Sequence, residues 1–350
     1  MPKLPLTPIF LTLFLASAIP AVAQTNPDSA TFDPDGTAHI LRTVPMPNTV
    51  SPAAQQWLKQ IEHEDPPMHD LAEIRKRTDE WRARDSAEAR HLYPVKVQEM
   101  TIAGVRADII TPLSIPDANK NRVLVNLHGG GFISDSGSLI EGIPICNLTK
   151  MKVVSVYYRL APENPFPAGV DDVVAVYKEL LKTYPPGNIG LFGTSAGAIL
   201  SAEVTVRLKQ LGLPAPAALG FFSGLADFSR TADSQQLFAL NGFSGNIAPQ
   251  DPNGSHDDSY VGKSDPRDPV LSPLFADLGG FPPTLLVTGT RDLLLSNTAI
   301  FHLALVRAGA DARLLVYEAM PHAFWYHFDF PETKECLEMM AKFFDQHVEH

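Results

Sequence analysis

GTSAGA, residues 193–198, lies between the apolar run NIGLF (188–192) and the helix-like run AILSAEVTVRLKQLG (198–212). A strand that turns at once into a helix through Gly-x-Ser-x-Gly places its serine on a sharp bend. There a Cβ two residues to either side would crowd the neighbouring chain, which accounts for Gly193 and Gly197. The bend pushes Ser195 out at the carboxyl end of the strand, and the N–H of Ala196 opens the helix where an anion is favoured. Taken alone, the pentapeptide suits a nucleophilic serine or an ordinary glycine-bearing turn.

Working outward, apolar runs bounded by Gly or Pro recur on both sides: VKVQEMTIA and VRADIITP flanking Gly104 as a hairpin, then RVLVNLHGG, KVVSVYYR, NIGLFG, AALGFFSG, PPTLLVTGT and ARLLVYEAM. Helical patterns alternate with the later ones, at AGVDDVVAVYKELLKTY, AILSAEVTVRLKQLG, NTAIFHLALVRAGA and ETKECLEMMAKFFDQHVE. An opening hairpin followed by this alternation predicts an α/β fold, an eight-stranded mostly parallel sheet with helices on both faces. Ahead of it, SPAAQQWLKQIE starts with Ser51 as N-cap and Pro52 in the first turn, and DLAEIRKRTDEWRARD carries mixed charge at helical spacing. Residues 24–49 have no sustained period and read as a loosely structured lead-in. The interval from about 226 to 278 is rich in Asp, Ser, Pro, Gly and Asn around one short helical piece, DSQQLFALNGF. A span of that length is expected to be functional, folding over the sheet as a lid with the N-terminal helices.

Composition narrows the partner. A chain of 350 residues, 45% hydrophobic and 19% charged, is expected to be globular, and its formal net charge of −11 repels nucleic acid and anionic membranes. The first residues, MPKLPLTPIFLTLFLASAIPAVAQ, show a lysine, an apolar run over 9–19 and the small-x-small triplet Ala21-Val22-Ala23. They read as a signal peptide, residues 1–23, and so predict export to a periplasmic or secreted location, because the apolar run is too short to span a bilayer. Export would place Cys146 and Cys336 where a disulfide persists, although buried thiols as core filler fit equally.

A serine hydroxyl is inert until a base takes its proton, so a histidine and an orienting acid must accompany it. HGGGF, residues 128–132, follows the strand RVLVNL, and consecutive glycines let backbone N–H groups approach a substrate. Gly129 and Gly130 join Ala196 as oxyanion donors. The loop lacks the Gly-Lys-Ser/Thr of a nucleotide phosphate loop and the G-x-G-x-x-G of a dinucleotide site. His128 reads as structural. In the order Ser, acid, His, the strand-end residues are Asp292 in TGTRDLLLSN and His322 in EAMPHAFW. Glu318 and Asp311 sit inside or before the last strand. His302 lies on a helix, and His327 lies five residues beyond the strand-end loop, as a surface residue. Phe132, Phe221, Phe222 and Trp325, near the motif-bearing strand ends, are expected to line an acyl or alcohol site unless they are plain core.

Together these elements resemble the hormone-sensitive-lipase-like branch of α/β-hydrolase esterases, the bacterial family IV carboxylesterases. YRLAPENPFPAGVDD (158–172) and DPRDPVLSPL (265–274) resemble further segments of that family, over roughly residues 95–345. Many members have Asp where this chain has Thr194 and Gly where it has Ala198, so the chain is similar to the smaller subgroup with threonine in the elbow. The resemblance implies a serine-dependent carboxylic ester hydrolase acting on small esters, without metal or cofactor, with residues 24–94 as lead-in and cap helices and 95–350 as the catalytic domain. It implies Ser195 as nucleophile, His322 as general base and then acid, and Asp292 as its orienter. It also implies that the helices carrying Cys146 and Cys336 share one face of the sheet, which predicts a disulfide between them.

Overall fold

The computed structural model describes residues 28–60, 70–135, 137–238 and 258–349. The expected signal peptide lies outside the described residues, among which no helix is long and apolar enough to cross a membrane. Residues up to Met46 belong to one unit, and Pro47–His350 form a second, compact one. The first contains an antiparallel pair, β1 (Ser29–Phe32) and β2 (Ala38–Leu41). The lead-in is thus more ordered than its composition suggested. Asp33-Pro34-Asp35-Gly36 makes the turn: Gly36 takes a left-handed φ of 91°, and Asp35 Oδ1 accepts from the Thr37 N–H at 2.9 Å.

The second unit opens with α1 (Pro52–Leu58), where Ser51 accepts from the Ala54 N–H, and α2 (Leu71–Leu92), where Asp70 accepts from the Glu73 N–H. Ser51 is the cap expected from the sequence, and Asp70 plays the same part for α2. Next come β3 (Val95–Ile102), β4 (Val105–Pro112), β5 (Val123–Leu127), α3 (Ser138–Thr149), β6 (Lys152–Val156) and α4 (Ala168–Leu180). The chain continues through β7 (Ile189–Thr194), α5 (Ala196–Gln210), β8 (Ala218–Phe222), α6 (Asp233–Phe238) and α7 (Asp258–Val261). It closes with β9 (Thr284–Gly289), α8 (Leu295–Arg307), β10 (Ala312–Tyr317) and α9 (Pro331–His347).

All eight expected strands form one sheet in the order β10-β9-β8-β7-β5-β6-β4-β3, parallel from β10 to β6, with the β3–β4 hairpin adding antiparallel strands at one edge. From β5 the chain steps to β6 on one side and returns to β7 on the other. The strand order therefore reverses beside β5, and the crevice at such a switch point is where open α/β sheets bind ligands. Side chains of α4, α5 and α8 pack in one apolar layer, and those of α3 and α9 in the other. The ends of the 226–278 insertion are tied together: Leu274 N–H donates to the Ala226 carbonyl at 3.0 Å and Phe228 N–H to Ser272 Oγ at 2.8 Å.

Cys146 and Cys336 do lie in the same layer, but each is a separate buried thiol, not half of a disulfide. Cys146 Sγ donates to the Ile110 carbonyl at 3.4 Å, and Cys336 is hydrogen-bonded to the Tyr317 side chain. Burial pushes the Cys146 thiol up to about 12, so it is inert as a nucleophile.

Candidate active site

The register of the parallel strands brings their carboxyl ends level. Leu127 pairs with Gly193, Thr194 with Phe222, Phe222 with Val287, and Gly289 with Tyr317. The residues that follow, His128–Phe132, Ser195, Ser223, Asp292 and His322, therefore gather along one edge of the sheet.

At the elbow, Ser195 adopts φ 58° and ψ −122°, a conformation that non-glycine residues rarely take and that functional sites retain. Its N–H donates to the Phe222 carbonyl at 2.9 Å, and it is the one residue of 193–198 that is not buried. The flanking glycines are required sterically. A Cβ on Gly197 would run into the carbonyls of Leu127 and His128, and one on Gly193 into that of Leu127. Ala196 is the first residue of α5, so its N–H is one of the helix's unpaired donors.

The glycine loop reverses with left-handed φ values at Gly130 (106°) and Gly131 (60°), while Gly129 is buried. Gly131 thus joins Gly129 and Gly130 as a bearer of backbone N–H groups that have no internal partner among the described residues. His128 is structural, as expected. Its ring stacks on Tyr158 with centroids 4.2 Å apart, Nδ1 donates to the Gly129 carbonyl at 2.8 Å, and Tyr158 Oη donates to the His128 carbonyl at 2.7 Å.

Helix α2 braces this loop from outside the sheet. Arg75 donates through Nε to the Ile133 carbonyl (2.7 Å) and through Nη2 to the Ala161 carbonyl (2.9 Å), and its guanidinium pairs with both Glu163 oxygens. One turn pair further on, Arg82 Nη1 donates to Asp135 Oδ2 at 2.6 Å, and Asp135 Oδ1 accepts from the Gly137 and Ser138 N–H groups. Neither arginine announced this task in the sequence, where both sit in an evenly mixed charge pattern.

Asp292 and His322 are joined: Nδ1 lies 3.0 Å from Oδ1. Asp292 is fully buried, and its carboxylate also accepts from Leu294 N–H (2.9 Å), Thr288 Oγ1 (2.9 Å) and Ser223 Oγ. Burial opposes its charge, but the His322 imidazole and the hydrogen bonds from His322, Ser223 and Leu294 N–H hold the carboxyl below its usual value. Ser223, which sequence reasoning passed over, occupies the same strand-end position as the predicted residues. The alternatives lie elsewhere: His302 Nε2 contacts the Ala312 carbonyl from α8. His327, expected at the surface, packs between Trp57 (4.6 Å) and Phe330 (5.1 Å) instead.

Beneath the elbow, Thr194 Oγ1 donates to Glu141 Oε1 at 2.9 Å and accepts from Trp325 Nε1 at 3.0 Å, while Tyr326 Oη donates to Glu141 Oε2 at 3.2 Å. Thr194 thereby couples the Ser195 turn to the segment just after His322. Burial raises the Glu141 carboxyl from 4.5 to about 8, partly offset by the hydrogen bonds from Thr194 and Tyr326. Above 4.5 the unfolded state releases this proton while the folded state keeps it until about 8, so stability from this group falls as pH rises through that window. Glu141→Gln is expected to shrink the fall in Tm between about pH 5 and about pH 8, leaving the part that the likewise buried and raised Glu203 carboxyl contributes. Calorimetry at the two pH values checks it, and an undiminished fall would remove Glu141 as its source.

Three expected pocket aromatics prove to be core. Phe221 packs on Phe301 (4.8 Å) and Phe222 near Phe192 and Trp325, and Phe221, Phe222 and Trp325 have at most 1% of their surface exposed. Successive strand residues face opposite layers, so Phe221 and Phe222 had no common pocket to line. Phe132, at φ 64° beside the glycine loop, is also buried, its ring stacked on Tyr260 with centroids 3.4 Å apart.

Residues 124–326 match the family described as having the alpha/beta hydrolase fold. An acetyl-hydrolase of Streptomyces hygroscopicus is 31% identical over 238 residues, 65% of this chain and 77% of its own length. An esterase of Acinetobacter venetianus is 30% identical over 257 residues, 71% of this chain and 82% of its own. Among solved structures, the crystal structure of an esterase E25 superposes with a TM-score of 0.78 at 32% identity, covering 88% of this chain and 98% of that one. An esterase from the bacterial hormone-sensitive lipase family gives 0.73 at 30% identity, covering 85% and 99%.

Proposed function

We propose, since the chain belongs to the alpha/beta hydrolase fold family, that it is a serine carboxylic ester hydrolase acting on short to medium acyl esters through an acyl-enzyme. The observation that carries this reading is the Asp292–His322 hydrogen bond, formed at the strand edge that also presents Ser195 on its strained turn. In the proposed reaction Ser195 Oγ bonds to the ester carbonyl carbon while His322 Nε2 takes the hydroxyl proton. The carbonyl oxygen becomes an oxyanion, received by the N–H of Ala196 and those of the glycine loop. Collapse breaks the bond to the alcohol, which leaves with the proton from His322. Water then repeats the sequence and releases the acid, restoring Ser195. Asp292 stays ionised throughout and compensates the imidazolium.

No hydrogen bond joins Ser195 to His322 among the described residues, and contacts of this kind tighten when substrate binds. Thr194 in the elbow, engaged with Glu141 and Trp325, supports placing the chain in the threonine-bearing subgroup. The leader-like residues 1–23 support export.

The test is a panel of nitrophenyl esters from acetyl to long acyl, with a nitroanilide and an insoluble triglyceride alongside. Turnover is expected to be highest on the shorter esters and weak on the other two. Faster cleavage of the anilide than of any ester would overturn the reading.

A further inference from the structure

Ser223 follows β8 directly, level with Ser195, because Thr194 and Phe222 are paired across the two strands. It has no exposed surface, holds a left-handed φ of 54°, and is pinned by its N–H to the Val287 carbonyl at 2.8 Å. Its hydroxyl touches two groups: it hydrogen-bonds Asp292 Oδ2, and it lies 2.7 Å from His322 Nδ1. We propose that Ser223 is a positioning residue that fixes the tautomer and ring orientation of His322 through this pair of contacts. The proposal rests on the reading of His322 as general base.

The protons can be placed one by one. An ionised carboxylate only accepts, so the single hydroxyl hydrogen of Ser223 points to Asp292 Oδ2. The remaining lone pairs of Oγ then face Nδ1, and so does Asp292 Oδ1 at 3.0 Å. Nδ1 meets two acceptors and no donor, so it carries the ring proton and Nε2 is left bare, the form a base acting on Ser195 requires. Two acceptors on one N–H also restrain the ring against swinging about a single bond. Thr288 Oγ1 and the Leu294 N–H hold the Asp292 carboxylate independently. Removing the Ser223 hydroxyl therefore takes one of four donors from the acid, which stays anchored, and one of only two acceptors from the imidazole N–H, which is loosened more.

The experiment uses full-length protein labelled with ¹⁵N-histidine, with His322 assigned by difference from His322→Gln. Two variants remove the hydroxyl: Ser223→Ala, and Ser223→Gly, which accepts the left-handed backbone without strain. The unmodified protein is expected to show a protonated Nδ1 and an unprotonated Nε2 for His322. In both variants the two nitrogen shifts are expected to move toward each other, and kcat to fall about 10- to 100-fold with KM within about threefold. Unchanged His322 shifts in either folded variant would overturn the proposal, whatever the turnover. Moved shifts in a protein whose Ser195→Ala form still hydrolyses esters would uphold the positioning role and overturn the reading of the site.

Discussion

Ser195→Ala is expected to lower ester turnover by a factor on the order of 10⁴ to 10⁶, with the fold intact. The loss should be chemical because the hydroxyl contributes nothing to the architecture. It makes no capping bond to α5, and the turn is held by the Ser195 N–H to the Phe222 carbonyl and by the close approach of Gly193 and Gly197 to their neighbours. Alanine retains the same Cβ and the same left-handed backbone. Rates on a nitrophenyl ester, read beside circular dichroism and Tm, separate lost chemistry from lost folding. A variant within tenfold of the parent would show that the nucleophile is another group.

The next largest effect falls on the acid. Four donors converge on Asp292: Ser223 Oγ, Thr288 Oγ1, His322 Nδ1 and the Leu294 N–H. Asparagine has the same shape but offers one accepting oxygen, so its amide nitrogen must face donors on one side or the other. The charge that would balance an imidazolium disappears as well. Asp292→Asn should therefore reduce kcat by on the order of 10⁴, the scale known for this change in serine triads, with little change in KM because the residue is fully buried. Steady-state kinetics on the preferred ester decides it, and a loss confined to KM would contradict the assigned role.

These two residues, His322 and the eight strands were legible because one rule covers them all. Apolar β-branched runs closed by Gly or Pro are strands, and in a parallel sheet their carboxyl ends share an edge. The same rule would have reached Ser223, in FFSG, but a serine there has no chemistry of its own to single it out. Its meaning arises only when β9 and β10 bring an acid and a histidine beside it. Glu141 was hidden differently. Helix α3 is buried along most of its length and contains Pro144, so it has no polar face to give a helical period, and a carboxyl inside it looks out of place until Thr194 and Tyr326 are found against it. The aromatic lining failed for a reason local sequence could have supplied. Adjacent residues of a strand point to opposite layers, and nearness to a strand end along the chain says nothing about which side of the sheet a ring occupies.

The clamp from α2 has a consequence for redesign. Swapping the N-terminal helices between relatives looks like a way to change selectivity while sparing the chemistry, but Arg75 holds the Ile133 and Ala161 carbonyls and Arg82 the Asp135 carboxylate, and Ile133 and Asp135 directly follow the glycine loop proposed to receive the oxyanion. A graft that omits those two guanidiniums would alter rate as well as selectivity, and transplanting them with the helix is what would let selectivity be tuned by itself.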